Sequence, residues 1–197
     1  FGDKAVLDEA GRRFGLYLQD ESSLRPDIRA VVYSLAAESG DTETFEIVRR
    51  LARDSTFQEE MVRFQLALAR FQDPVLIGRA LDLVLSDEVR VQDSPRLLLA
   101  LASNPRGRDA AWEYLKANWP EFDRRYGGGG FAVMRLVSIP GGFSTAEAKA
   151  DVERFFTDHP MPSATRTVRQ SLERIELNRL WLEANRDGVR QWLDRRS

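Results

Sequence analysis

The sequence predicts an all-α protein, and three observations predict it. Apolar residues recur at helical spacing along nearly the whole chain. No segment alternates polar and apolar for long enough to make a half-buried strand. Capping residues, prolines and glycines punctuate the chain at short intervals, so helices joined by short connectors are expected throughout. With 197 residues, 43% of them hydrophobic, the chain can bury one sizeable core or a short array of repeats sharing one.

The assignment of elements starts at Pro26. From there to about Ser39, Ile28, Val31, Val32, Leu35 and Ala36 form one stripe, with Pro26 in the first turn and Gly40 as the stop. Asp41 is expected to cap the next helix, whose buried stripe is Phe45, Val48, Leu51 and Ala52. Ser55 with Gln58 reads as a capping box before Met61, Phe64 and Leu68. Asp73-Pro74 opens a helix burying Ile77, Ala80, Leu81, Val84 and Leu85. Asp93, as the next cap, begins a helix running to about Ser103. Asn104-Pro105 forces a turn, and a helix with Trp112, Leu115 and Trp119 follows.

Gly127 to Gly130 is a flexible corner, since helix-interior glycine costs about 1 kcal/mol each. Beyond it come a short helix around Val133 to Val137, a Pro140-Gly141-Gly142 turn, and a helix capped by Ser144 with Glu147. His159-Pro160-Met161-Pro162 precedes a long helix from about Ser163 to Asn185, and Val189, Trp192 and Leu193 make a last, separate amphipathic turn. Units of about 30 to 45 residues with short connectors are how stacked helical hairpins look in sequence, and a helical bundle looks similar.

Composition narrows the chemistry. Lys plus Arg at 29 against Asp plus Glu at 31 gives a net charge of −2, so nucleic acid is not an expected partner. Charges break every apolar run short of the roughly 20 residues a membrane span needs, and no membrane contact is expected. The absence of cysteine removes thiolate metal sites and fits a reducing, cytoplasmic compartment. The chain begins at Phe1 and reads as a piece of a longer polypeptide, folded as one segment from 1 to 197.

A hydrolytic zinc site needs a His and carboxylate cluster such as HExxH, and the only histidine is His159. Its place on an apolar stripe favours a packed or helix-terminal histidine over a ligand. Cys/His and Ser/His/Asp nucleophilic sets lack their parts, and paired carboxylates such as Glu59 with Glu60 read as a solvated helix face. The glycine run lacks the Lys-Ser/Thr ending of a phosphate loop. No catalytic residue and no cofactor is expected in this segment.

Two polar clusters remain as binding candidates. In Val89-Arg90-Val91-Gln92-Asp93, Arg90 and Gln92 sit between apolar helices with no capping duty, and Arg90 either satisfies helix C-terminal carbonyls or faces an anionic ligand. Around the glycine corner, Arg124, Arg125 and Tyr126 precede it and Arg135 follows as the one cation in the apolar helix Phe131 to Val137.

From about Pro26 to Leu193 the chain resembles the C-terminal helical domain of the aminopeptidase N and endoplasmic-reticulum aminopeptidase superfamily. The landmarks run in order: Arg29 with Val32-Tyr33, Gly40-Asp41, Glu88 to Asp93, Asn104-Pro105-Arg106-Gly107, Ala111-Trp112, Asn118-Trp119, Arg125-Tyr126 before glycines and Phe131, Phe155-Phe156, Asn178 with Trp181-Leu182, and Trp192-Leu193. His159-Pro160-Met161-Pro162-Ser163-Ala164 followed by Arg166-Thr167 looks most like the puromycin-sensitive subgroup. The resemblance implies HEAT-like or armadillo-like hairpins in a curved array, closing as a lid over a zinc-bearing catalytic domain that lies elsewhere. The implied partners are that catalytic domain and the peptide substrate, contacted by Arg90 and Arg135, with Gln92 and Tyr126 as companions. A free-standing helical scaffold for a partner protein is the alternative.

Overall fold

The computed structural model describes residues 2–195. Among the described residues the regular structure is helical, with short 3-10 turns and no strand. The α-helices are α1 Lys4–Gln19, α2 Arg29–Glu38, α3 Thr42–Asp54, α4 Gln58–Leu68, α5 Pro74–Leu83, α6 Ser94–Ser103, α7 Arg108–Ala117, α8 Trp119–Tyr126, α9 Phe131–Ser138, α10 Ala146–Asp158 and α11 Thr165–Asp194. The chain forms two compact units, Phe1–Ala111 and Trp112–Ser197.

In the first unit α1 pairs with α2, α3 with α4 and α5 with α6, while α2, α4 and α6 also lie side by side. Cross-links between successive repeats set the spacing. At one edge Arg29 and Tyr33 of α2 reach Glu60 of α4, and Gln58 of α4 reaches Asp93 before α6. At the other edge Arg70 reaches Glu38, and the amide of Asn104 donates to the carbonyls of Ala69 and Phe71. These partners are 27 to 35 residues apart, close to the repeat length expected from the punctuation.

Aromatic rings fill the layer between hairpins. Tyr33 stacks on Phe64 with centroids 4.4 Å apart, and Phe14 and Tyr17 from α1 lie 5.8 and 5.2 Å from Tyr33. α1 precedes the first element assigned from sequence, and it supplies the outer wall of this cluster by burying Ala10, Phe14 and Tyr17. In the second unit Phe155 meets Trp112 and Trp119 edge-on, each at 5.2 Å, and α11 packs on α9, α10 and the 3-10 turn Ile139–Gly142.

Asp41 accepts from the amide of Thr44 at 2.9 Å, and Asp73 from that of Val75 at 2.7 Å, with Pro74 in the first turn. Elsewhere the caps differ from expectation. Ser55 makes no capping box: α4 starts at Gln58 after Phe57, the Ser55 hydroxyl donates to the Phe57 carbonyl, and Gln58 spends its amide on Asp93. Asp93 sits before α6 with its backbone already in the helical region and does not accept from it, and its carboxylate takes a bond from Gln58 instead. Thr145 rather than Ser144 caps α10, accepting from Ala148 at 3.1 Å.

Trp119 begins a helix of its own, since Pro120 lacks the N–H that would continue α7 and its ring would clash with the carbonyl of Lys116. At the chain's end the reverse holds. The expected break before Val189 is absent and α11 continues for 30 residues, about 45 Å, through Gly188. A single interior glycine costs roughly 1 kcal/mol, which does not by itself end a helix. At the corner Gly129 and Gly130 have φ of 107° and 93°, a region that side chains with a Cβ rarely adopt.

Candidate functional site

The residues singled out from sequence fall in both units. In the first, Arg90 and Gln92 are exposed on the connector between α5 and α6, at the edge where α2, α4 and α6 begin. Their backbone is shaped by the turn into α6, where the amides of Asp93 and Ser94 donate to the Arg90 carbonyl at 2.8 and 3.2 Å. Below it the Ser94 hydroxyl, fully buried, donates to the Val84 carbonyl at 2.6 Å. The guanidinium of Arg90 bonds no helix carbonyl and no carboxylate among the described residues. It projects from the exposed surface of the connector.

The same edge carries a polar cluster that sequence reasoning missed. Glu60, taken for a solvated carboxylate, has a side chain only 14% exposed. It accepts from the Tyr33 hydroxyl at 3.0 Å, from Arg63 at 2.5 Å and, weakly, from Arg29 at 3.5 Å. Arg29 also donates to the carbonyls of Leu24 and Glu21, and its guanidinium lies 5.3 Å from the Tyr17 ring centroid. A recess of about 380 Å³ opens above these groups, with the exposed ring of Phe57 at its lip. Burial first, then Tyr17 and Glu60, push the Tyr33 hydroxyl far above the ordinary range, so it stays a proton donor. The cluster braces α2 against α4. Only the tertiary pairing of α2 with α4 reveals it, because Glu59 and Glu60 look alike in sequence.

Further along this edge Arg49 holds Glu88 through two of its donor nitrogens, Nε and Nη2, and that pairing keeps the Glu88 carboxyl below the usual range. Glu88 begins the segment Glu88 to Asp93, so α3 anchors the connector that presents Arg90 and Gln92. Gln65 adds a bond from α4 to the Glu88 carbonyl at 3.3 Å.

In the second unit Tyr126 closes α8 as a buried ring, 8% exposed and stacked on Phe122 at 6.3 Å. It is part of the core beneath the glycine corner rather than a surface group. Arg124 and Arg125 both pair with Glu121, which they hold at about 2. Arg135 lies on α9, opposite the buried Val133, Leu136 and Val137, and its guanidinium has no bond among the described residues. Thus Arg90 and Arg135 are each presented by a fixed backbone without an ionic partner, whereas the neighbouring Arg49 and Arg125 are tied.

Among the described residues no group of three His, Cys, Asp or Glu side chains could hold a metal ion. His159 ends α10, stacks on Phe155 at 4.5 Å, and has Nδ1 3.0 Å from the Phe155 carbonyl, so this ring nitrogen carries the proton and donates. No described helix is long and apolar enough to cross a membrane.

The model of the ERAP1-like C-terminal domain matches residues 1–177. Aminopeptidase M1 of Arabidopsis thaliana is 35% identical over 190 residues, covering 93% of this chain and 21% of the relative. Aminopeptidase M1-C of Oryza sativa subsp. japonica is 30% identical over 94% of this chain and 21% of its own length. Aminopeptidase N of Homo sapiens is 27% identical over 90% of this chain and 19% of its own length. The chain thus spans about a fifth of the length of the curated relatives it matches. With a helical-hairpin array and a family match over nearly its whole length, this chain belongs to the ERAP1-like C-terminal domain family of the M1 aminopeptidases.

Proposed function

We propose that this chain is the non-catalytic C-terminal lid of a zinc aminopeptidase that removes N-terminal residues from peptides. The zinc and its ligands belong to a catalytic domain outside these residues, and that domain is the first partner. The lid closes over the active site and contacts the distal part of the peptide, so opening and closing gate binding and product release. Absence of cysteine suits a reducing compartment, and the reading places the parent enzyme in the cytoplasm.

The observation that carries the substrate contact is the pair of partnerless guanidiniums on braced backbone, Arg90 and Arg135. A carboxylate entering a closed, poorly hydrated chamber favours a bidentate arginine. Gln92 stands exposed beside Arg90, and Tyr126 supports the corner before Arg135 from within. In the complete enzyme, Arg90→Ala and Arg135→Ala should each raise KM for peptides of about ten residues by roughly three- to tenfold, as expected for a partly solvated ionic contact. Single-residue chromogenic substrates should be hydrolysed unchanged. Equal effects on both substrate classes refute the contact.

A further inference from the structure

One side of the second unit gathers arginines that have no ionic partner. Arg135 on α9 and Arg166, Arg169 and Arg174 on α11 make no guanidinium bond among the described residues. Neighbouring arginines of the unit are neutralised, Arg154 by Asp151 and Arg179 by Glu176 and Glu183, while Arg186 and Arg190 lie unpaired on the opposite side of α11. In a chain of net charge −2, with acids in excess, a local surplus of unpaired cations is a distinct surface.

Of these, Arg174 lines a groove of about 420 Å³ between the end of α9, the turn Ile139–Gly142 and the first half of α11. Ser138, Gly141, Thr167, Gln170, Glu173 and Arg174 line it. At 100° per residue, Arg166, Gln170, Glu173 and Arg174 fall within roughly 100° of arc on α11, with Arg169 at its margin and the buried Ser171 and Ile175 turned inward. Arg135, half-buried, lies three residues before Ser138 on α9.

The floor is fixed. Ser171 donates to the Val137 carbonyl at 2.8 Å, and Asn178 donates to those of Gly141 and Phe143 at 3.1 and 2.9 Å. Between these anchors the stem of Arg174 crosses the bare backbone of Gly141, its Cδ 3.4 Å from where a Cβ would stand. A stem already laid against fixed backbone loses less entropy when its guanidinium binds.

We propose that this groove docks the carboxylates of an acidic polypeptide segment, with Arg174 at the centre, Arg166, Arg169 and Arg135 around it, and Thr167 and Gln170 as neutral donors. A polypeptide fits better than nucleic acid. The lining has no aromatic ring on which bases could stack. The proposal concerns this chain alone and does not rest on the lid reading.

The test is fluorescence anisotropy at low salt with the full chain and three labelled probes: an octaglutamate peptide, an octaglutamine peptide and octathymidylate. Saturable binding of octaglutamate alone is expected. The double variant Arg166→Gln/Arg174→Gln should weaken it about tenfold, while Arg186→Gln/Arg190→Gln, the same charge change on the opposite side of α11, should leave it within about twofold. Circular dichroism checks that both variants keep their helix content. Equal loss in the two variants, equal binding of octathymidylate, or no saturable binding of octaglutamate overturns the proposal.

Discussion

Replacing Asn104 by alanine tests the repeat geometry at its most concentrated point. The Asn104 side chain is 1% exposed and makes three bonds: Nδ2 donates to the carbonyls of Ala69 and Phe71 at 3.0 and 2.8 Å, and Oδ1 accepts from the Arg106 amide at 3.1 Å. Truncation leaves two carbonyls on the α4–α5 connector without their donor, in a place too enclosed for free solvation. Each stranded buried group costs about 1 to 3 kcal/mol, and a water filling the vacated space recovers part of that. The expected loss is therefore about 3 kcal/mol, enough to shift a urea midpoint by roughly 1 to 2 M. Far-UV circular dichroism against urea reads the midpoint, and hydrogen exchange should show faster opening of α4 to α6. A loss below about 0.5 kcal/mol would refute the idea that this asparagine joins successive repeats.

Two further changes probe other links. Gly40→Ala places a methyl group 2.8 to 2.9 Å from Thr44, the Ala36 carbonyl and the Phe71 ring, so overpacking should cost about 2 kcal/mol or more in thermal unfolding; an unchanged Tm would contradict the close approach. Asp151 accepts from Trp112, Lys116 and Arg154, and Lys116 first, then Trp112, hold its carboxyl at about 2. Because this folded value lies below the unfolded one of about 3.9, its stabilisation is present above about pH 4 and is lost as pH falls towards 2. Asp151→Asn should cost at most about 2 kcal/mol at pH 7 and flatten stability over that acid window, followed by tryptophan fluorescence. An acid-window slope identical to that of the unaltered chain would show that the shift is absent.

Much of the fold was legible because helices announce themselves locally. Asp41 and Asp73 each cap with their own side chain within three residues, and Pro74 completes the signal. Errors arose where a local signal met a tertiary competitor. Gln58 could serve Ser55 or Asp93, and contact across the repeat won. Glu60 could be solvated or braced, and the approach of α2 decided it. Tyr126 beside a flexible corner looked like a surface group, yet its ring stacks on Phe122 one turn earlier. The groove around Arg174 had no signature at all, since it needs Gly141 and α11 to meet across about 30 residues.

The sequence by itself determined an all-helical chain, its approximate repeat length, the absence of a catalytic histidine or thiol set, and, through ordered landmarks, its family. Those properties depend on residue identity and short-range spacing, which are fully written in the chain. Only the tertiary structure decided which polar groups are spent on bracing and which remain free, because pairing depends on neighbours 27 to 39 residues away. That distinction left Arg90, Arg135 and Arg174 unpaired while Arg29, Arg49 and Arg125 were tied in place.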